Sequence, residues 1–419
     1  MISNISALDL ARQAKASSGI LATASTAQRN SAIRAIAGIV REESISIAGA
    51  NVEDLAQARH NGVSQPLLDR LRLGEKDIER MCNAAEAVAS LPDPIGEVTG
   101  LTQQPSGIRV GRMRIPLGVI GMIYESRPNV TLEAGSLGIK SGNACVLRGG
   151  SEAIRSNCAI ADCISRGLEE SGLPSSVVQL VRTTDRAAVG EMLAANQYID
   201  LIVPRGGKGL IERVMNDSSI PVLKHLDGVC HVYIDDTADG ETAIDIAVNS
   251  KAEKYAVCNA AETILISARV ATEILPRLVR QLEDLGIETR GCKRTQSIAP
   301  TVASATEEDW REEYLDAIVA IKVVDDLDEA IEHIDRFGSG HTDTIVANDI
   351  DRTNQFVNRV DSATVMVNTS TQFADGFEFG LGAEIGISTD KLHARGPVGL
   401  EGLTTQKFVV YSDGAIRHR

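Results

Sequence analysis

No two of the seven cysteines form a Cys-x-x-Cys pair, and none stands at a metal-ligand spacing from a histidine. Their number is odd as well. Such usage argues against a disulfide framework or a zinc module and for reduced thiols in a cytoplasmic setting. Positive charge is short: 42 Lys and Arg stand against 57 Asp and Glu, a formal net charge of −15. That sign excludes nucleic acid or an anionic membrane as the main partner, and an anionic substrate would need a local basic pocket. Long apolar runs are missing too. The longest, around Val119 to Ile123, is far too short to span a bilayer. The opening MISNISALDLARQAKAS lacks the basic start and apolar core of a signal peptide. A Gly-x-Gly-x-x-Gly dinucleotide fingerprint is absent, as are internal repeats and low-complexity segments.

What is present is enough for a large core. The chain has 419 residues, 43% of them hydrophobic, so two or more domains are expected. Residues 6–90 read as several helices, with Ala32, Ile33, Ile36, Ile39 and Val40 on one face. Pro92-Asp93-Pro94 breaks that pattern, and Ile108 to Arg114 alternate as in a strand pair. Such a pair is marginal alone in water and needs something to pack on. Pro116 to Tyr124 and Ala144 to Arg148 are buried-strand runs flanking a helix-compatible segment. The alternation continues along the chain and predicts a doubly wound α/β fold, whose ligands gather at the carboxyl ends of the strands. Thr306 to Glu313 reads as the start of a further helix.

Between a helix-like run over 241–248 and the β-rich Thr263-Ile264-Leu265-Ile266 stands Cys258, followed by Asn259. A thiol on a tight turn can attack a carbonyl, with backbone N–H groups meeting the oxyanion. A free cysteine is also at home as a small buried apolar side chain.

Ser250 to Ser267, SKAEKYAVCNAAETILIS, resembles the nucleophile loop of the aldehyde dehydrogenase superfamily. Val-Cys-Asn-Ala-Ala-Glu-Thr has the form of the branch that reduces γ-glutamyl phosphate. Segments 118–150 and 379–405 agree, and the resemblance spans essentially the whole chain. It implies two doubly wound Rossmann-like α/β domains plus a β-hairpin oligomerisation arm. Residues 1–96 and 114–226 would form the cofactor-binding domain, 227–402 the catalytic domain, and 97–113 with 403–419 the arm. The implied assembly is a homo-oligomer, dimer or tetramer. The implied reaction is NADPH-dependent reduction of glutamyl 5-phosphate to glutamate 5-semialdehyde in proline biosynthesis, through a thioester on Cys258, with functional coupling to glutamate 5-kinase. A hydrolytic dehydrogenase for another aldehyde, or a silent scaffold on the same fold, are the alternatives.

Site residues follow from the same resemblance. Cys258 and Asn259 take the catalytic positions. Arg148-Gly149-Gly150-Ser151 matches the segment after the family's second strand, with arginine where a lysine is usual. Arg205-Gly206-Gly207-Lys208 matches the phosphate turn at a helix N-terminus. Arg148, Arg205 and Lys208 together suit a 2′-phosphate, hence NADP(H), and Glu313 matches the glutamate that bonds the nicotinamide ribose. His225 stands where hydrolytic members carry the glutamate that activates water. It orients a phosphate or cofactor, or simply caps a strand. Arg127, whose planar fork suits phosphate or carboxylate, and Asn368, Ser370 and Arg395 are the substrate-binding candidates. No metal is expected.

Overall fold

Ser6 and Ser25 start the first two helices by accepting hydrogen bonds from the N–H groups of Asp9 and Gln28. Each satisfies one of the orphan donors of a first helical turn. Helices Ala7–Thr23 and Thr26–Glu42 then bury aliphatic faces, with Leu10 and Leu21 on the first and Ile33, Ile36 and Val40 on the second. The structure is a computed structural model, and it describes residues 5–417. It resolves into two units. The first holds the chain through Lys224, Leu381–Gly386 and the chain from Val398; the second holds His225–Gly380 and Ile387–Pro397.

In the first unit, strands Val119–Tyr124 and Ala144–Arg148 are buried along their whole length, as continuous apolar runs require of strands covered on both faces. They are the middle of a four-stranded parallel sheet with Val178–Leu180 at one edge and Leu201–Arg205 at the other. The register pairs Ile123 with Arg148 and Tyr124 with Arg205. Three carboxyl ends therefore finish level, and the loops after Tyr124, Arg148 and Arg205 emerge side by side.

A separate three-stranded antiparallel sheet joins Val98–Gln103, Arg109–Pro116 and Thr404–Tyr411, with Arg109–Pro116 in the centre. Strand Thr404–Tyr411 pairs with Arg109–Pro116 of the same chain, Tyr411 opposite Arg109 and Thr404 opposite Pro116. A third strand supplies the packing partner that a lone hairpin lacks.

The second unit is built on a seven-stranded sheet in which every pair is parallel. Its central strand Ala261–Ser267 is wholly buried between Ile318–Val324 and Cys230–Ile234, and Thr342–Val346 lies beyond the latter. Helix Gly240–Ala252, capped by the Asp239 carboxylate on the Thr242 N–H, leads through a short loop into Ala261–Ser267. The helix foreseen over Thr306 to Glu313 does not form, and the segment is a series of turns. Asp309 accepts from both the backbone and the hydroxyl of Thr306, and Trp310 is buried, so the side chains close a local turn. Among the described residues no helix is long and apolar enough to cross a membrane.

Candidate active site

Cys258 sits on the loop between helix Gly240–Ala252 and strand Ala261–Ser267, half-buried. Both ends of that loop are clamped. Lys251 and Glu262 are fully buried and meet at 2.6 Å. Burial pushes the Glu262 carboxyl up to about 8, against the pull of Lys251, and pushes the Lys251 ammonium down. The pair fixes where the loop begins and ends.

The main chain of Cys258 is held as firmly. Gly228 lies so close that a Cβ there would fall 2.6 Å from the Cys258 Cα and 2.7 Å from its carbonyl carbon. The Cys230 thiol donates to the Cys258 carbonyl at 3.2 Å, and burial keeps that thiol protonated by raising its pKa well above the ordinary value. The Gly228 N–H donates to Glu313 at 2.8 Å, and the Val229 N–H to the Ser339 hydroxyl at 2.9 Å.

Two imidazoles approach the nucleophile. One ring nitrogen each of His225 and His341 and the Cys258 Sγ all lie within 4.8 Å of one another. The two rings meet edge to face, 5.3 Å between centroids. His225 Nδ1 donates to the Ile387 carbonyl at 3.0 Å, which puts the lone pair of the neutral ring on Nε2. His341 is fully buried, and burial, aided by the neighbouring His225, pushes its pKa down to about 3. It is neutral at any ordinary pH.

These groups collect at the amino-terminal edge of their sheet. His225 precedes Cys230–Ile234, Cys258 precedes Ala261–Ser267, and His341 immediately precedes Thr342–Val346. The general rule for open α/β sheets points to the opposite edge, so it does not find this site.

The other sequence candidates of this unit are largely committed to structure. The Asn259 amide nitrogen donates to the carbonyls of Gln372 and Ala374 at 3.1 and 3.2 Å. That ties the nucleophile loop to the 371–374 turn and uses both of the side-chain N–H groups an oxyanion would need. Asn368, in a left-handed conformation with φ of 53°, bonds both the N–H and the carbonyl of Ala347. Ser370 is buried and bonded to the Ser250 hydroxyl at 3.2 Å. Arg395 directs two nitrogens to Asp361, at 2.9 and 2.8 Å.

In the first unit, Arg148 ends its strand 9% exposed, and its Nε has no hydrogen-bond partner. Burial holds the guanidinium pKa below its usual value despite Glu152, and Arg186 and Arg213 add to the effect. A buried, incompletely bonded arginine beside two others is an anion-seeking arrangement. Gly149 admits Tyr124 and Asn157 where a side chain would clash, and Ser151 opens the turn that follows. At the neighbouring strand end, Arg205-Gly206 runs into helix Lys208–Asp217, whose cap is Gly207. The Gly207 N–H donates to the Glu125 carboxylate at 2.9 Å, so this helix start already binds an anionic group. Arg127 is exposed on the loop after Tyr124, and it and Arg205 pull down the pKa of Glu133, which burial nevertheless raises. Ser126, with φ of 43°, is held in place by two bonds to Glu152. The orphaned buried cation of Arg148, with Arg186 and Arg213 beside it, fits the phosphate end of a nicotinamide dinucleotide.

Sequence reading missed Gly228, Cys230, Lys251, Glu262 and His341. Lys251 and Glu262 carried a signal, being charged residues at either end of the Cys258 stretch, where exposed charge has no place beside a buried strand. His341 and Cys230 carried none, because only the pairing of distant strands brings them to Cys258.

The sequence profile of the aldehyde dehydrogenase family matches residues 5–308 and 286–384. The γ-glutamyl phosphate reductase of Thermotoga maritima is 45% identical, with 99% of this chain and all of that chain covered and a TM-score of 0.97. The γ-glutamyl phosphate reductase of Saccharomyces cerevisiae is 30% identical over 98% of both chains, with a TM-score of 0.54. An engineered glycolyl-CoA reductase with bound NADP+ shares the fold at 16% identity, a TM-score of 0.65 and 96% coverage of both. With a nucleophile loop of this form and a family match over most of its length, the chain belongs to the aldehyde dehydrogenase family, oxidoreductases that use a nicotinamide cofactor.

Proposed function

We propose that the chain reduces γ-glutamyl phosphate to glutamate 5-semialdehyde and phosphate, a step toward proline, with NADPH as the reductant. One observation carries the reading: Cys258 faces the imidazoles of His225 and His341, and position 225 holds no carboxylate. A reductase of acyl phosphates must keep its thioester from water, and no carboxylate stands at 225 to activate one. Full-length similarity to the Thermotoga enzyme supports the substrate.

In this reading the Cys258 thiol gives its proton to His225 Nε2 and attacks the acyl carbon. The carbon–oxygen bond to phosphate breaks, the proton passes from His225 to the departing oxygen, and a thioester on Cys258 remains. His225 suits this role because its other nitrogen is anchored to the Ile387 carbonyl, while His341 is too weak a base. When bound, the reduced cofactor supplies the hydride. Cys258 then leaves as the thiolate as the semialdehyde forms, and takes back a proton from solvent.

Arg148, Gly149, Gly150 and Ser151, with Arg205, Gly206, Gly207 and Lys208, would hold the adenosine and phosphate portions. Glu313 remains the candidate for the nicotinamide ribose. The preference for NADP over NAD rests on the unbonded Nε of Arg148. Arg127, exposed on its loop, is proposed to bind the phosphoryl group or the α-carboxylate.

Mixing the enzyme with an acyl phosphate and no cofactor tests the chemistry. One equivalent of phosphate should appear, with one acyl group on Cys258 by peptide mass spectrometry. Continuous phosphate release would mean that water reaches the thioester, and the reading would fail.

A further inference from the structure

The three groups at the nucleophile are also a ligand set. We propose that Cys258, His225 and His341 bind a zinc ion reversibly and that this ion caps the nucleophile. The binding claim stands on geometry alone, and only its inhibitory consequence rests on the functional reading above.

A thiolate and two imidazoles are the soft-to-borderline donors that zinc prefers, and three protein ligands leave a fourth position open. Each histidine is prepared for the role. His225 already donates its Nδ1 proton to the Ile387 carbonyl, the outer bond that a ligating imidazole ordinarily makes. His341 is fully buried, its Nε2 has no hydrogen-bond partner, and its Nδ1 lies 2.9 Å from the Thr342 hydroxyl. Such an orphaned buried nitrogen is costly unless something meets it.

Zinc bonds of about 2.0–2.3 Å place tetrahedral ligands about 3.5 Å apart. The present spread of 4.8 Å therefore closes by about an ångström. Cys258 and His225 both lie on loops and are half-buried, so they supply that movement. On binding, the thiol loses its proton to solvent, one Zn–S bond forms, and no electrons transfer. Hard cations that favour oxygen, such as magnesium, find no donors of their kind among the three. The ligands come from three separate segments of the chain, so no spacing in the sequence announces them.

Calorimetric titration of the metal-free full chain with zinc chloride, and with magnesium chloride beside it, tests this directly. Alkylation of Cys258 by iodoacetamide, read by peptide mass spectrometry, is the second readout. Buried thiols do not confuse it, since burial raises Cys82 and Cys163 to about 11 and Cys145 to about 12. Expected are one zinc per chain, no magnesium, protection of Cys258 and its reversal by EDTA. His225→Asn and Cys258→Ala, both at half-buried loop positions, should each weaken zinc at least about tenfold. Unchanged affinity in both variants, or full alkylation of Cys258 at saturating zinc, would overturn the site. Neither readout uses substrate, so a chain that binds zinc but forms no acyl-enzyme would refute only the proposed reaction.

Discussion

Gly228 packs directly on the main chain of Cys258, with room for a hydrogen and nothing larger. The contact fixes the height of the nucleophile above its sheet. In Gly228→Ala the new methyl must push the nucleophile loop away. Overpacking of this kind costs about 1–3 kcal/mol. A displacement near 1 Å at a reacting atom costs about a hundredfold in rate. We expect a folded protein with a lowered Tm and kcat reduced about a hundredfold, measured by thermal melting and steady-state kinetics on the same sample. Wild-type kcat would show that the contact does not position the thiol.

The Lys251–Glu262 pair is fully buried, so removing one partner strands the other. Lys251→Met should destabilise by about 3–5 kcal/mol, whereas a Lys251→Met, Glu262→Leu double variant should lose much less. Urea unfolding of both variants decides the matter. Equal losses would mean that packing, and not charge, dominates at this clamp.

Two buried histidines set an acid limit on stability. Burial pushes His333 to about 2 and His341 to about 3, both well below the ordinary 6.5. The folded state therefore binds fewer protons than the unfolded state between about pH 6.5 and 3. Their contribution is fully present above pH 6.5 and drains as pH falls, by up to about 1.4 kcal/mol per unit for each. Unfolding free energies at pH 7 and 5.5 should fall less steeply in His333→Leu than in wild type. Equal slopes would contradict the assignment.

Arg148 should set cofactor choice. Loss of a charge-assisted bond is worth about 1.5–3 kcal/mol, so Arg148→Leu should lower kcat/KM for NADPH about ten- to hundredfold. The value for NADH should change little. Parallel losses for both cofactors would place the 2′-phosphate elsewhere.

His225→Glu places a carboxylate beside the Cys258 thiol. The variant should hydrolyse its own thioester, so that phosphate release outruns NADPH oxidation. A positioned general base contributes about 10²–10⁴-fold, enough to read the uncoupling by comparing the two rates. Tight coupling in the variant would mean that water is excluded by something other than the lack of a carboxylate at 225.

Much of this architecture was legible beforehand, for identifiable reasons. Val119–Tyr124 and Ala144–Arg148 announced themselves because strands covered on both faces need unbroken apolar runs, and the turn at Cys258 lay between two clear periodicities. Side-chain commitments were not legible. Asn259, Asn368 and Arg395 look like binding residues in sequence, yet each is bonded to backbone or to a neighbouring acid. Such bonds depend on where loops land. His341 reaches Cys258 only because Thr342–Val346 and Ala261–Ser267 flank the same strand. Local periodicity carries no information about that order.

The measurement that bears most directly on the account is reduction of NADP by glutamate 5-semialdehyde, with and without inorganic phosphate, in wild type and Cys258→Ala. Turnover that requires phosphate and vanishes in the variant is the predicted result, since phosphate alone can release the acyl group from the thiol. Turnover without phosphate would contradict it, because water would then be resolving the thioester.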